Sequence, residues 1–233
     1  MLKLDETGRV RGMTAQPPQP LVAGRVPIRA LLEHLAVDRP VFHSEADFQH
    51  AFARACWEAD ATLNVRLEVR QHDAREYLDM LAIGSDGQTA IEFKYWTRQW
   101  SGSAGDPPEQ FDLRAHAATD LARRNFVFDI ERLERFAVGP EHNGLAVLLT
   151  NDPSLWSSPP RPGRDTRDQA FRIHDGRTLA GTLLWGAGDF PANTRKLIGR
   201  YELVWRDYSQ RDGRNGLFRY LVVETRPGNV RSA

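Results

Sequence analysis

The chain has 233 residues, of which 41% are hydrophobic and 9% aromatic, so it can bury a core and lacks the composition of a disordered protein. Its 31 Lys and Arg residues are balanced by 31 Asp and Glu residues, whereas nucleic-acid-binding domains are often strongly basic. The single cysteine, Cys56, excludes a disulfide bond within this sequence and a zinc site built from several cysteines. Neither an apolar run of about 18 residues nor a signal peptide is recognisable, which predicts a cytoplasmic protein without a membrane partner.

The charges are unevenly distributed along the chain. Residues 1–152 carry 17 Lys or Arg and 23 Asp or Glu, and residues 153–233 carry 14 and 8. This asymmetry suits an acidic metal site that faces a basic, phosphate-binding surface, and a chance distribution of surface charges explains it equally well.

Only three of the basic residues are lysines, namely Lys3, Lys94 and Lys196. A lysine in so arginine-rich a chain indicates a position that requires a compact or titratable amine, and Lys94, which follows an apolar run, is the best candidate.

The pattern along the chain predicts three regions. Residues 1–24, which contain a proline-rich segment, are expected to form a flexible leader. Residues 25–152 are expected to form the core of the protein. Residues 153–233 are expected to form a β-rich extension packed on the same domain.

Two helices are predicted at the start of the core. Apolar residues at helical spacing predict the first over residues 28–35, and Pro40 ends it. Ser44 is a suitable N-cap for the second helix, with Asp47 at its third position. The expected buried stripe of this second helix, which runs to about residue 60, consists of Phe48, Phe52, Cys56 and Ala59.

The hydrophobic pattern then changes to the alternation typical of strands. Residues 63–69 alternate between apolar and polar side chains, which predicts a half-buried strand. Two further strands, 77–83 and 89–96, are joined by a segment that contains Asp86-Gly87, a strong hairpin signal. The remaining predicted elements are a loop at 101–108, a helix at 111–136, a buried strand at 144–150, and strands at 170–173, 178–185, 201–206 and 217–223.

The predicted hairpin brings three charged side chains onto one face. If its loop has two or four residues centred on the Asp-Gly pair, Asp79 lies opposite Lys94, and Leu81 lies opposite Glu92. Alternate residues of a strand share a face, so Asp79, Glu92 and Lys94 then project to the same side. A three-residue loop would turn one strand over and separate them.

Two carboxylates and an ammonium group on one face permit two interpretations. Neighbouring carboxylates repel each other, and a divalent cation between them removes the repulsion. Oxygen ligands favour Mg²⁺, and a lysine beside the ion can orient or deprotonate a water molecule or stabilise the charge of a phosphate. The alternative is a salt bridge between Asp79 and Lys94 on a solvated sheet face, with no chemical role.

These residues also carry a resemblance to a known family. Glu45 near a helix start, Leu78-Asp79, and the Ile-Glu-Phe-Lys segment at 91–94 resemble the PD-(D/E)XK, or restriction-endonuclease-like, nuclease superfamily. The resemblance extends over residues 43–152 to the order helix, three-stranded meander, helix and strand, although Leu78 replaces the proline of the family name. It implies a mixed α/β fold with a restriction-endonuclease-like core and a β-rich C-terminal extension. The chain also resembles a group of bacterial proteins with no assigned substrate, through the phrases F-H-S-E-x-D-F-Q, A-I-E-x-K-Y, L-T-N-D-P and W-R-D-Y-S.

The resemblance implies roles for five residues of the core. Asp79 and Glu92 correspond to metal ligands, and the Phe93 carbonyl corresponds to a further ligand. Lys94 corresponds to the catalytic lysine. Glu45 corresponds to an additional acid that contacts the metal directly or through water, and its spacing from the buried stripe turns it inward. An acid at the positive end of a helix is also stabilising without any catalytic role.

The implied function is that of a Mg²⁺-dependent endonuclease, with Mn²⁺ as an alternative ion, that hydrolyses phosphodiester bonds of DNA in preference to RNA. Arg98, Arg123 and Arg124 are the candidate contacts to the nucleic-acid backbone. Nearby acids, Asp129 among them, make ordinary surface ion pairs the alternative on the helix that carries two of these arginines. The alternative function is a catalytically inactive module of the same fold that binds nucleic acid or a protein. The sequence is compatible with a homodimer but does not predict one.

Overall fold

The N-terminal part of the described chain already belongs to the core. The computed structural model describes residues 19–71, 76–159 and 165–227. Most of the predicted leader, residues 1–18, lies outside these ranges. The described part begins with β1 (Leu21–Val22), which pairs with β2 (Val26–Pro27). Val22 is fully buried, so packed structure starts before the expected boundary at residue 25.

The described residues form twelve strands, four α-helices and three short 3-10 helices. After β1 and β2, the strands are β3 (Asn64–Arg70), β4 (Tyr77–Gly84), β5 (Gly87–Trp96), β6 (Trp100–Ala104), β7 (Glu109–Leu113), β8 (His142–Thr150), β9 (Thr178–Leu183), β10 (Arg195–Glu202), β11 (Trp205–Gln210) and β12 (Leu217–Thr225). The α-helices are α1 (Ile28–Asp38), α2 (Glu45–Ala59), α3 (Thr119–Phe136) and α4 (Pro153–Trp156), and the 3-10 helices are Gln169–Phe171, Trp185–Gly188 and Pro191–Asn193.

Six strands form a central mixed sheet in the order β11-β12-β8-β5-β4-β3. Strands β5 and β8 are parallel, and the other neighbouring pairs are antiparallel. Helices α1 and α2 cover one face, around Phe48, Phe52 and Phe93, and α3 with the β9–β10 hairpin covers the other, around Phe126 and Leu133. The described chain is therefore a mixed α/β structure, and β11 and β12 bring its C-terminal region into the same sheet.

Most elements of the core form where the sequence predicts them. Helix α1 ends before Pro40, Ser44 is the N-cap of α2, and β3 alternates between half-buried and exposed side chains. Strand β8 is buried from Asn143 to its end, as expected for a strand covered on both faces. In the stripe of α2, Ala55 is buried and Ala59 is exposed, because the helix ends at Ala59.

The predicted loop at 101–108 and the predicted start of the next helix are wrong. The chain forms the β6–β7 hairpin there, in which Trp100 pairs with Leu113. Both side chains and that of Phe111 are buried, so apolar packing at the ends of the hairpin outweighs its Gly, Ser and Pro content. Helix α3 consequently starts at Thr119 instead of near residue 111.

Two strand predictions in the C-terminal region are also corrected. The predicted strand at 170–173 overlaps a short 3-10 helix. The predicted strand at 201–206 spans the end of β10 and the start of β11, because Leu203 and Val204 separate the two strands. The amide of Leu203 donates to the Arg177 carbonyl at 2.8 Å, which connects this segment to the residues before β9.

Short-range hydrogen bonds fix the N-terminus of α2. The amide of Asp47 donates to the Ser44 hydroxyl at 3.1 Å, and the Asp47 carboxylate accepts from the His43 amide at 2.9 Å. The same carboxylate pairs with Arg39 at 2.8 Å. These bonds satisfy amide groups that a helix otherwise leaves unpaired, and they fix the position of Glu45, the first residue of the helix.

The β4–β5 hairpin forms as predicted, but its two-residue loop begins one position earlier. Gly84 pairs with Gly87, so Gly87 belongs to the strand. The amide of Gln88 donates to the Glu141 carbonyl at 3.0 Å, and a Cβ on Gly87 would lie 2.3 Å from the same oxygen. This close contact with the segment before β8 holds Gly87 in the strand.

The earlier loop changes the register of the hairpin. Leu81 pairs with Ala90, so the predicted pairs Leu81–Glu92 and Asp79–Lys94 are wrong. The pairing is shifted by two residues, so the paired side chains from Met80 to Gly84 keep their predicted faces of the sheet. Asp79 lies just beyond the last observed pair, and its charge acts on Glu92.

We expect Ser44→Ala to lower the free energy of unfolding by about 1 kcal/mol, because the amide of Asp47 loses its acceptor at the start of α2. Urea denaturation measures the change. Ser103→Ala is a matched control, since Ser103 is exposed on β6, and its free energy of unfolding should stay close to wild type. An equal effect of both substitutions would contradict a capping role for Ser44.

Candidate active site

Asp79 lies where the regular pairing of β4 is interrupted. The observed β4–β5 pairs begin with Met80 and Ile91, and Glu68 on the neighbouring β3 has a positive φ of 52°. At this interruption the Phe93 amide donates to Asp79 Oδ2 at 2.7 Å. The carboxylate of Asp79 thus takes the place of a backbone acceptor and is held against β5.

Helix α2 supports the same interruption from one face of the sheet. The side-chain amide of Gln49 donates to the Asp79 carbonyl and to the Glu68 carboxylate. Gln49 is buried and follows Glu45 by four residues, so both side chains lie on one side of the helix. The sequence interpretation did not assign Gln49 a role, although this spacing from Glu45 within F-H-S-E-x-D-F-Q could have indicated one.

Glu45 connects α2 to β5. Its Oε2 accepts a hydrogen bond from the Tyr95 amide at 2.8 Å. Glu45 is an exposed residue, but partial burial of its carboxylate raises its pKa, and the Lys94 ammonium and the Tyr95 amide partly oppose this increase. The charges of Lys94 and Asp79 both act on Glu45, so the structure brings the predicted acid of the helix together with the charged residues of the strands.

Glu92 is the least exposed acid of this group. Its side chain is 0% exposed, and Oε2 contacts the guanidinium of Arg132 on α3. Neither carboxylate oxygen accepts a hydrogen bond from any described residue. Burial raises the pKa of Glu92 to about 9, and the charges of Asp79 and Asp129 act in the same direction. A carboxylate in this environment requires a nearby cation or a proton.

Lys94 is surrounded by acids. Its Nζ lies 3.1 Å from Asp129 Oδ2 and donates to the Phe93 carbonyl at 2.8 Å. Burial lowers the pKa of this amine, but the carboxylates of Asp129, Glu45 and Asp79 outweigh burial and raise it above its ordinary value. The amine therefore stays protonated at neutral pH. The ion-pair partner of Lys94 is Asp129, and not Asp79 as the salt-bridge alternative predicts.

Asp129 and Arg132 of α3 complete the cluster, and the sequence interpretation missed both. Asp129 is buried rather than part of a surface ion pair, and its Oδ1 accepts from Arg132 at 2.9 Å. Burial raises the pKa of Asp129 to about 6, against the opposing charges of Lys94 and Arg132. The signal was present, since Asp129 lies three residues after Phe126 and four before Leu133, within the apolar stripe of the helix.

The three arginines that are predicted to contact nucleic acid have different environments. Arg123 is buried and paired with Asp168, so its charge is used inside the protein. Arg124 is half-buried over the ring of Phe128. The side chain of Arg98 is 43% exposed and pairs with Asp152 at 3.1 Å. Of the three, Arg98 is the arginine most available to a ligand.

The oxygen atoms of the cluster suit a hard divalent cation in their chemistry. Carboxylates are preferred Mg²⁺ ligands, and the carboxylate of Glu92 lacks hydrogen bonds from the described residues. The Phe93 carbonyl, however, accepts from Lys94. Within the described ranges, no three Asp, Glu, His or Cys side chains are already arranged as a metal site. Asp79 and Glu92 therefore fit as ligands. A bound ion would compensate the charge of Glu92, which Arg132 now compensates.

Two surface cavities adjoin the cluster. One, of about 510 Å³, is lined by Glu45, Tyr95 and His116 among other residues. The other, of about 390 Å³, is lined by Asp129 and Arg132. Solvent and small solutes can thus approach the cluster at the acid of α2 and at the charged pair of α3.

No protein-family model, curated protein or solved structure matches the chain. Within the part of the chain that the structure describes, no helix is both long enough and apolar enough to cross a membrane. A functional assignment therefore depends on the geometry and electrostatics of the charged cluster.

We expect Glu92 to make the metal-free protein less stable as the pH rises. Its pKa is about 9 in the folded protein against an ordinary value of 4.5, so between these values the folded state holds a proton that the unfolded chain lacks. The resulting stabilisation is complete below the lower value and is lost as the pH rises through the upper one. In EDTA, the melting temperature of the wild type should fall over this range, and that of Glu92→Gln should fall less.

Glu58→Gln is the control for this measurement, because Glu58 is an exposed residue of α2 that pairs with Arg54. Its melting temperature should follow the wild-type dependence on pH. Identical curves for Glu92→Gln and the wild type would contradict the raised pKa of Glu92.

Proposed function

We propose that the chain is a Mg²⁺-dependent nuclease that hydrolyses phosphodiester bonds, of DNA in preference to RNA. The observation that supports this proposal is the convergence of Glu45, Asp79 and Glu92 around Lys94, where the pairing of β4 with β5 is interrupted. These residues come from three different elements. Glu92 is buried, and Asp79 and Lys94 are half-buried. Groups of interacting charges at such a place are typical of functional sites.

The order of the elements supports a restriction-endonuclease-like core. Helix α2, the β3–β4–β5 meander, α3 and β8 follow one another in the order that the family resemblance implies. The parallel pair of β5 and β8 lies at the centre of the sheet. The β6–β7 hairpin is an insertion between β5 and α3, and β11 with β12 extends the sheet beyond β8. We infer a core of this kind with two additions.

Phosphodiester hydrolysis requires neutralisation of the phosphate, an aligned water molecule and a proton for the leaving group. In this proposal Asp79 and Glu92 would hold the metal ion. Mg²⁺ or Mn²⁺, when bound, would neutralise the phosphate and make water acidic enough to give the leaving group its proton. Glu45 lines the adjacent cavity, where its carboxylate can orient a water molecule. The Phe93 carbonyl accepts one hydrogen bond from Lys94, and its second lone pair could serve as a further ligand.

The environment of Lys94 favours one of the roles open to a catalytic lysine. Its amine is kept protonated by the surrounding carboxylates, so it is poorly suited to remove a proton from water. A fixed ammonium group is well suited to stabilise negative charge that develops on a phosphate. The contact with Asp129 at 3.1 Å holds the ammonium in place, which makes Asp129 a positioning residue.

We expect the purified protein to nick supercoiled plasmid DNA in Mg²⁺ or Mn²⁺ and not in EDTA. Lys94→Arg should lower the rate by about 100-fold or more, because a guanidinium is larger and planar and cannot take the position of the ammonium between Asp129 and the Phe93 carbonyl. Gel electrophoresis of the plasmid over time measures both effects. Lys196→Arg, the same substitution at an exposed lysine, should cleave at the wild-type rate.

Absence of cleavage of DNA and RNA with either ion would contradict the nuclease proposal and favour an inactive binding module of the same fold. Cleavage by Lys94→Arg at the wild-type rate would show that Lys94 takes no part in the reaction.

A further inference from the structure

Arg132 bridges the two buried carboxylates that lie on facing elements of the cluster. Its Nη2 contacts Glu92 Oε2 on β5 and lies 2.9 Å from Asp129 Oδ1 on α3. Among the described residues, Arg132 is the only ion-pair partner of Glu92. Lys94 pairs with Asp129 instead. One nitrogen of Arg132 thus occupies the space between two acids.

The charge of the cluster is not balanced by its own residues. Four carboxyl groups act on one another and on two cations, and these six residues are Glu45, Asp79, Glu92, Asp129, Lys94 and Arg132. When all are ionised, the negative charges exceed the positive ones by two. Because Glu92 and Asp129 are buried, an excess of this kind is relieved by bound protons or by a bound cation.

We propose that Arg132 is the resident counter-ion of Glu92 and that a divalent cation displaces it on binding. This inference rests on the proposed function, in which Asp79 and Glu92 hold the ion. A guanidinium and a divalent cation in contact with the same carboxylate repel each other strongly in a buried site. Arg132 therefore competes with the ion. Its contact with Glu92 must be broken before the ion binds, which reduces the observed metal affinity of the wild-type protein.

The structure has space for the displaced side chain. Arg132 is 24% exposed and lines the cavity of about 390 Å³, beside Phe128 and Glu131. Its Nε makes no hydrogen bond within the described part of the chain, so contacts at Nη2 hold the guanidinium in place. A rotation of the side chain toward the cavity breaks the contact with Glu92 and brings the guanidinium toward the acid of Glu131.

Calorimetric titration of the full chain with Mg²⁺ and with Ca²⁺, without nucleic acid, tests this competition. Arg132→Met should bind either ion about tenfold more tightly than the wild type, a usual size for coupling between two sites, and should melt at a lower temperature in EDTA because Asp129 loses its ion pair with Arg132. Arg135→Met is the matched control. Arg135 lies one turn further along α3 and lines the same cavity, but it pairs with Glu131 and Glu76, so its loss should leave the metal affinity unchanged.

Glu92→Gln should abolish binding of either ion, because Glu92 is a ligand in the proposed function. This variant therefore tests the metal site separately from the competition by Arg132. Tighter binding by Arg132→Met together with unchanged binding by Arg135→Met supports the competition. Equal or weaker binding by Arg132→Met overturns the competition. In that case, loss of binding by Glu92→Gln would still support the proposed metal site. Absence of binding by every protein overturns both. Arg132→Gln, which retains a hydrogen-bond donor for Asp129, gives the same comparison if Arg132→Met is too unstable to titrate.

Discussion

The carboxylate of Glu92 lies on the central strand β5 and accepts no hydrogen bond from any described residue. A buried carboxylate is tolerated when an opposite charge or a proton accompanies it. Helix α3 supplies that charge through Arg132, and this places a second acid, Asp129, beside Lys94. Helix α3 packs on β5 and β8 through apolar side chains such as Phe126 and Leu133, and the acids gathered around Lys94 keep its amine protonated.

The interrupted pairing of β4 imposes a second requirement, because strands that separate leave backbone groups without partners. Side chains of the cluster and of α2 satisfy these groups. Asp79 accepts from the Phe93 amide, and Glu45 accepts from the Tyr95 amide. Gln49 donates to the carbonyl of Asp79. The side chains that stabilise the interruption therefore include two of the acids that we propose for the reaction, so they are fixed in position before any substrate binds.

Local patterns were sufficient to predict α2 and the three strands of the meander, because side-chain period and capping residues act over a few positions. The register of the hairpin depends on the contact of Gly87 with Glu141, which lies far along the chain and leaves no local signal. The burial of Arg123 likewise depends on Asp168, in the C-terminal region. Asp129 differs from these cases, since its place in the apolar stripe of α3 was visible in the sequence.

The proposed reaction and the proposed role of Arg132 both require a divalent cation bound by the acids of the two adjacent strands, β4 and β5. Anomalous diffraction from crystals of the full chain soaked in Mn²⁺ tests this most directly. We expect an anomalous peak within coordination distance of the carboxylates of Asp79 and Glu92, with the Arg132 guanidinium no longer in contact with Glu92. Saturating Mn²⁺ with no peak at these carboxylates, and with Arg132 still paired to Glu92, would contradict the account.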